Sequence, residues 1–176
     1  MHIRDLQLSD AENLLEFELR NRDWFEQFVS PRGARFYSFV AVQDHIRAYL
    51  IAKAQSRFHG CLVLDDDDRI IARANLREIN IRHGSAEVGY RVDKDCVGRG
   101  AASAATRHLV NLAYRDWQLK QLRGFVSLDN AASARVLQKN GFVKVGVHAR
   151  MAVLKHGKFD CAEYLHDPNL YQNVGP

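Results

Sequence analysis

The sequence predicts a mixed α/β fold: a seven-stranded sheet flanked by about four helices. Three observations predict it. Apolar or alternating runs of strand length recur seven times along the chain. Four other segments carry their apolar residues at helical spacing. Between the fourth strand and the third helix stands Asp95-Cys96-Val97-Gly98-Arg99-Gly100-Ala101-Ala102, two glycines one residue apart and then a run of helix formers.

Residues 3–6 alternate and read as the first strand. Ser9-Asp10-Ala11-Glu12 has the form of a capping box. The first helix follows, with Leu14, Leu15, Phe17 and Leu19 in an amphipathic pattern. Residues 21–31 read as irregular and aromatic, with Trp24, Phe25 and Phe28. They form either a small cluster under a loop or the wall of a groove. Residues 39–56 read as the second helix, from the spacing of Val42, Ile46, Tyr49, Leu50 and Lys53. Residues 61–64 and 70–76 are strands of a hairpin with an acidic tip, Asp65-Asp66-Asp67-Asp68. The spacing of an EF-hand loop is absent, so the tip reads as a solvated turn. Residues 86–92 form the strand that leads into the glycine turn, and Gly89 inside it predicts either a bulge, which would splay the strand, or a close backbone approach. The third helix runs over 100–114, a strand over 122–128, and the fourth helix over 131–140. Asn130 is its N-cap and Gly141 its C′ residue. Strands over 143–154 and 159–165 form a last hairpin across His156-Gly157-Lys158, and residues 167–176 read as a frayed tail.

Composition bounds the function. The 176 residues suit one domain, 1–176, with no linker or repeat. A net charge of +4 fits a phosphate-rich ligand or an RNA-rich neighbourhood. It is too small to argue direct binding of nucleic acid. Cys61, Cys96 and Cys161 are odd in number and widely spaced, so reduced thiols and a cytoplasmic setting are expected. No apolar run has the length of a signal peptide core or a membrane span. The eight histidines show no metal-ligand spacing, so no metal is expected.

Taken alone, the glycine turn is either the cap of an ordinary helix or a pyrophosphate cradle. Glycine permits a sharp turn and lets a ligand approach the backbone. The helix that follows begins with amides that have no internal partner, and its positive end favours a phosphate. Arg99 adds a cation. No Lys-Ser or Lys-Thr follows a second glycine, which excludes a nucleotide-triphosphatase loop. Ser103 stands where a dinucleotide fingerprint needs its third glycine.

Val97-Gly98-Arg99-Gly100-Ala101-Ala102 resembles the acetyl-CoA motif of the GNAT N-acetyltransferases, Gln/Arg-x-x-Gly-x-Gly/Ala. Asn130-Ala131-Ala132-Ser133-Ala134-Arg135-Val136-Leu137-Gln138-Lys139-Asn140-Gly141-Phe142 resembles the family's second block. Ala86-Glu87-Val88-Gly89-Tyr90-Arg91-Val92 resembles its central strand. Together they are most similar to the RimJ/RimL-like branch, the ribosomal-protein N-terminal acetyltransferases. Val97 departs from the motif, where relatives carry Gln or Arg. The resemblance implies a single GNAT-like domain, mostly antiparallel and splayed at the cofactor site. It also implies acetyl-CoA as cosubstrate, and a monomer or homodimer.

The resemblance assigns roles by position. Val97, Gly98, Arg99, Gly100, Ala101 and Ala102 would hold CoA, with Val92 offering an oxyanion donor and Asn130 a bond to the pantetheine arm. Ser133 is the candidate acid for the leaving thiolate, or else a solvated serine in a first helical turn. Glu87 is either a base acting through water or a structural carboxylate paired with an arginine. Trp24, Phe28 and Tyr90 would contact the acceptor. Many relatives carry a tyrosine acid where Leu137 stands, and a glutamate near Ala152. An α-amine has pKa ~8 against ~10.4 for lysine, so without a strong base the site suits a protein N-terminus such as that of a ribosomal protein. The alternatives are a small amine, such as a polyamine, amino acid or antibiotic, and a CoA-binding module without catalysis.

Overall fold

A computed structural model describes residues 1–154 and 157–171 of the chain. Its strands are β1 (His2–Asp5), β2 (His59–Leu64), β3 (Ile70–Asn80), β4 (Ser85–Val92), β5 (Gln121–Ser127), β6 (Val143–Leu154) and β7 (Gly157–His166). Its helices are α1 (Ala11–Arg20), α2 (Arg22–Phe25), α3 (Phe39–Ala54), α4 (Ala101–Arg115) and α5 (Ala131–Lys139). The strands form one sheet in the order β1-β2-β3-β4-β5-β7-β6. Neighbours run antiparallel except β4 and β5, which are parallel and joined through α4.

Helices cover both faces. Ala105, Leu109 and Ala113 of α4 pack with Leu76, Val88 and Leu122 of the sheet, and Leu137 brings α5 into the same core. Leu14 and Phe17 of α1 pack with Val42 and Ile46 of α3 over Leu62, Leu64 and Ile70 on the opposite face.

The β4–β5 pairing is short. Only Ser85 with Gln121, Ala86 with Leu122, and Glu87 with Arg123 are paired. Beyond them the two strands part. The bulge expected at Gly89 is absent: Asn75 and Gly89 are in register, and the irregularity of β3–β4 lies between Arg77 and Asn80. The splay is therefore made on the other side of β4, where β5 leaves it.

Several local expectations are corrected. Ser9 does not cap α1. A 3-10 turn (Leu8–Asp10) precedes the helix, and the Asp10 carboxylate accepts the Gln7 N–H at 2.7 Å while pairing with Arg4 at 2.6 Å. A carboxylate accepts charge-assisted bonds from several donors, which a hydroxyl does not match. The segment read as irregular holds the single turn α2. Buried Asn21 sits at its start, its Nδ2 donating to the Phe17 carbonyl at 3.0 Å. Strand β3 runs four residues past its expected end, because β4 continues to pair with it at Arg77.

Both ends of α5 match the reading. Asn130 Oδ1 accepts the Ser133 N–H at 3.0 Å. Gly141 N–H bonds the Gln138 carbonyl and Phe142 N–H the Leu137 carbonyl, both at 3.1 Å, which makes a Schellman end. Lys155 and His156 of the last hairpin and residues 172–176 of the tail lie outside the described residues. The three cysteines are unpaired. No described helix is long and apolar enough to cross a membrane.

Candidate active site

The parted strands open a cavity of ≈ 880 Å³ that reaches both faces of the sheet. On the α4 side it is walled by the glycine turn. Gly98 and Gly100 have φ of 78° and 86°, a conformation that disfavours any side chain. The amides of Ala101, Ala102 and Ser103 have no acceptor among the described residues, and the first helical bond runs from Ala104 N–H to the Gly100 carbonyl at 2.9 Å. Free amides, a helix start and open backbone form an anion cradle. Val97 joins this wall, whereas Arg99 is exposed and stands outside it.

Two anchors hold the turn. The Asp93 carboxylate, fully buried, accepts from Arg20 at 2.7 Å, from Asp95 N–H at 3.0 Å and from Asn21 at 3.2 Å. Burial pushes this carboxyl up, but those donors outweigh it and keep it below the ordinary range. Asn140, at the end of α5, donates to Ser103 Oγ at 3.1 Å and ties the two helices together.

Strand β4 brings Tyr90 to Ser133. The two hydroxyls are 2.7 Å apart, and the phenol also donates to the Ser133 carbonyl at 3.1 Å. One arrangement satisfies both distances: Ser133 donates to Tyr90, and Tyr90 donates to the carbonyl. Burial pushes the phenol up to about 12 despite the serine bond, so it stays protonated. Leu137, at the position of the relatives' tyrosine, is buried against β5. A Cβ on Gly124 would come within 2.7 Å of it, so this leucine belongs to the core.

Val92 is placed at the mouth of the splay. Asp93 N–H bonds the Ile71 carbonyl of β3, and alternation turns the Val92 groups the other way. Its carbonyl accepts the Trp24 indole N–H at 3.2 Å. Trp24 packs edge-on against Phe28 with centroids 4.8 Å apart, and both line the cavity.

Glu87 is brought elsewhere. Its carboxylate lies 3.0 Å from Arg77 Nε, and it does not line the cavity. Ala152 lies on β6, paired with Phe159.

On the α1 and α3 side the wall is cationic, which the sequence reading missed. Glu18 of α1, 1% exposed, receives Arg73 at 2.5 Å, Arg91 at 3.1 Å and Arg32 at 4.0 Å. Burial alone would raise this carboxyl; the three guanidiniums hold it low and ionised. Arg91 is pushed down to about 10 by burial and by Arg73 and Arg32, with Glu18 opposing. His45 is held down to about 3 by burial and the same arginines, so it is neutral. Asn75 Oδ1 lies buried beside them without a donor among the described residues. The signal was present in the sequence: Arg73, Asn75 and Arg77 alternate with Ala72, Ala74 and Leu76 on one strand.

One group of potential metal ligands occurs among the described residues, Asp5, His59 and Cys61. It lies outside this cavity. Trp117 donates to His59 Nδ1 at 2.9 Å and His59 Nε2 bonds Asp5 at 2.7 Å, so both ring nitrogens are in use. Burial pushes the Cys61 thiol up to about 12.

The fold agrees with the comparisons. The profile of the acetyltransferase (GNAT) domain matches residues 1–143. The chain belongs to the GNAT acetyltransferase family. A GNAT relative, the probable N-acetyltransferase YjcK of Bacillus subtilis, is 32% identical over 163 residues, covering 91% of this chain and 89% of its own. The ribosomal-protein-S5-alanine acetyltransferase of Vibrio fischeri superposes with a TM-score of 0.90 at 19% identity, over 99% of this chain and 94% of that one. The spermidine N-acetyltransferase of Vibrio cholerae, solved with CoA and spermine, gives 0.80 at 20% identity over 98% of both chains. This GNAT chain is thus an acetyltransferase whose structural neighbours act on different amines.

Proposed function

We propose that the protein transfers acetyl from acetyl-CoA to the α-amine of a peptide or protein N-terminus, of the ribosomal-protein type. The observation that carries this reading is the charge of the cavity wall. Six basic side chains line it, Arg32, Arg73, Arg77, Arg91, Arg135 and Lys139, against one acid, Asp129. A polyamine carries several positive charges, and such a wall repels it. A peptide N-terminus carries one, and sheds it easily: at pH 7 roughly one α-amine in ten is neutral, against one lysine in a few thousand.

The residues divide the work. The free amides of Ala101, Ala102 and Ser103 and the α4 dipole take the pyrophosphate of CoA at the 97–102 turn, with Arg135 and Lys139 adding charge along α5. Asn130 Oδ1 is used by its cap, which leaves its Nδ2 to donate to the pantetheine arm. The Val92 N–H faces the thioester oxygen. Trp24 and Phe28 flank the acceptor. As the amine nitrogen bonds to the acetyl carbon, the thioester C–S bond breaks; the Ser133 hydroxyl turns its proton from Tyr90 to the departing sulfur and is reprotonated by the water that takes the proton of the amine. Tyr90 holds that hydroxyl in place. The amine loses its proton to water, and Glu87 stays with Arg77.

Steady-state kinetics with acetyl-CoA and a panel of N-terminal peptides, free amino acids and spermidine test the reading. The expected result is a kcat/KM for the best peptide above that for spermidine. Turnover of spermidine with none of any peptide overturns it.

A further inference from the structure

The acceptor face of β3 and β4 carries a finer pattern, and its interpretation rests on the N-terminal acceptor proposed above. Three rows of paired residues lie along these strands: Arg73 with Arg91, Asn75 with Gly89, and Arg77 with Glu87. The third row is balanced, because Arg77 and Glu87 form an ion pair at 3.0 Å.

The middle row is a notch. Gly89 presents no side chain, and a Cβ there would stand 3.2 Å from Asn75 Oδ1. That oxygen is buried and has no donor among the described residues. A buried acceptor left unbonded is costly, so the notch lacks an N–H that no described residue supplies.

The first row is positive. Arg73 and Arg91 share Glu18 with Arg32, and no other acid pairs with these three among the described residues. Three cations on one anion leave two positive charges uncompensated. His45 does not change the sum. It is neutral, and its Nε2 lies 3.4 Å from both Arg32 and Arg73. All three arginines, Asn75 and Gly89 line the cavity.

We propose that this face selects acceptors that carry a carboxylate side chain close behind the reactive amine, namely acidic N-terminal peptides. Successive rows on one face are two residues apart, about 7 Å. An extended peptide spans about 3.3–3.6 Å per residue. A peptide N–H bonded to Asn75 therefore places an acidic side chain one or two residues away at the arginines. A free acidic amino acid offers the same carboxylate, but its only nitrogen is the reacting amine, which leaves Asn75 unbonded.

Three acceptors decide the matter: the peptide Ser-Ala-Glu-Glu-Ala-Ala, its counterpart Ser-Ala-Gln-Gln-Ala-Ala, and free glutamate. Wild-type kcat/KM for the acidic peptide is expected to exceed that for its Gln counterpart by about tenfold or more, and free glutamate to be poorer than either. In Arg91→Gln the ratio of the two peptides should collapse towards one. Should that variant fail to fold, Arg32→Gln gives the same readout, since Arg32 is the loosest partner of Glu18. Equal rates for the two wild-type peptides overturn the inference while leaving the N-terminal reading intact. A ratio unchanged in a folded variant, or free glutamate matching the acidic peptide, also overturns it. Acetylation of spermidine and of neither peptide removes both readings together.

Discussion

At the scale of single residues, the site turns on two hydroxyls that lie 43 positions apart in sequence. Ser133 is one turn into α5, and Tyr90 reaches it from the strand opposite. Ser133→Ala removes the proposed proton donor and should lower kcat about tenfold to a hundredfold, with little change in the Kd of acetyl-CoA. This is the low end of general acid catalysis, because a thiolate is a good leaving group. Helix α5 should persist, since Asn130 supplies the cap. Unchanged kcat under conditions where chemistry limits the rate would show that water returns the proton. The Asn130 cap on the Ser133 N–H was legible because both residues lie within one local motif. The Tyr90 partner was not, because a strand residue states its face but not what lies across the gap. Leu137 shows the reverse case. A missing tyrosine reads as a missing catalyst until Gly124 is seen to receive the leucine.

At the scale of elements, α4 and its glycine turn form the proposed anion cradle. Gly100→Glu tests it. No atom lies within 4 Å of a Cβ built at this position, so the side chain has room. Its φ of 86° costs a non-glycine residue about 1–2 kcal/mol, or a Tm lower by about 2–8 °C for a chain of this size. The carboxylate would occupy the phosphate position, and CoA binding by calorimetry should be lost. Gly100→Ala carries the same strain without the charge and should keep most of the affinity; equal loss in both variants would make strain, not charge, the cause. The strands and longer helices were legible from periodicity and caps. Two features of the elements were not. The single turn α2 depends on buried Asn21, whose Oδ1 accepts the Lys94 N–H at 2.9 Å, a contact 73 residues distant. The opening of the sheet was read from Gly89, yet β5 makes it by leaving β4.

At the scale of the whole molecule, the cavity exists because two halves of one sheet meet at three residue pairs and then diverge. A ligand that fills it binds the folded chain alone. Acetyl-CoA at about 100 times its Kd should add about 2.7 kcal/mol, raising Tm by about 5–11 °C. A melting point unmoved by saturating acetyl-CoA would take the donor out of this cavity. The alternation along β3 shows one strand of the cationic face in the sequence, but the net charge of that face is set at the scale of the whole molecule. Its members come from α1, a loop, α3, β3 and β4, and only the fold sums their charges. The divergence has one more consequence. An open sheet normally has two edges, at its outermost strands, and an unpaired edge is a template for another strand. Here the gap between β4 and β5 adds two more in the interior, flanked by α4 and α5. The amides and carbonyls along those inner edges have no strand opposite them beyond Glu87 and Arg123. A ligand with amides of its own is the natural partner for such an edge, and the pantetheine arm of the proposed cosubstrate is one.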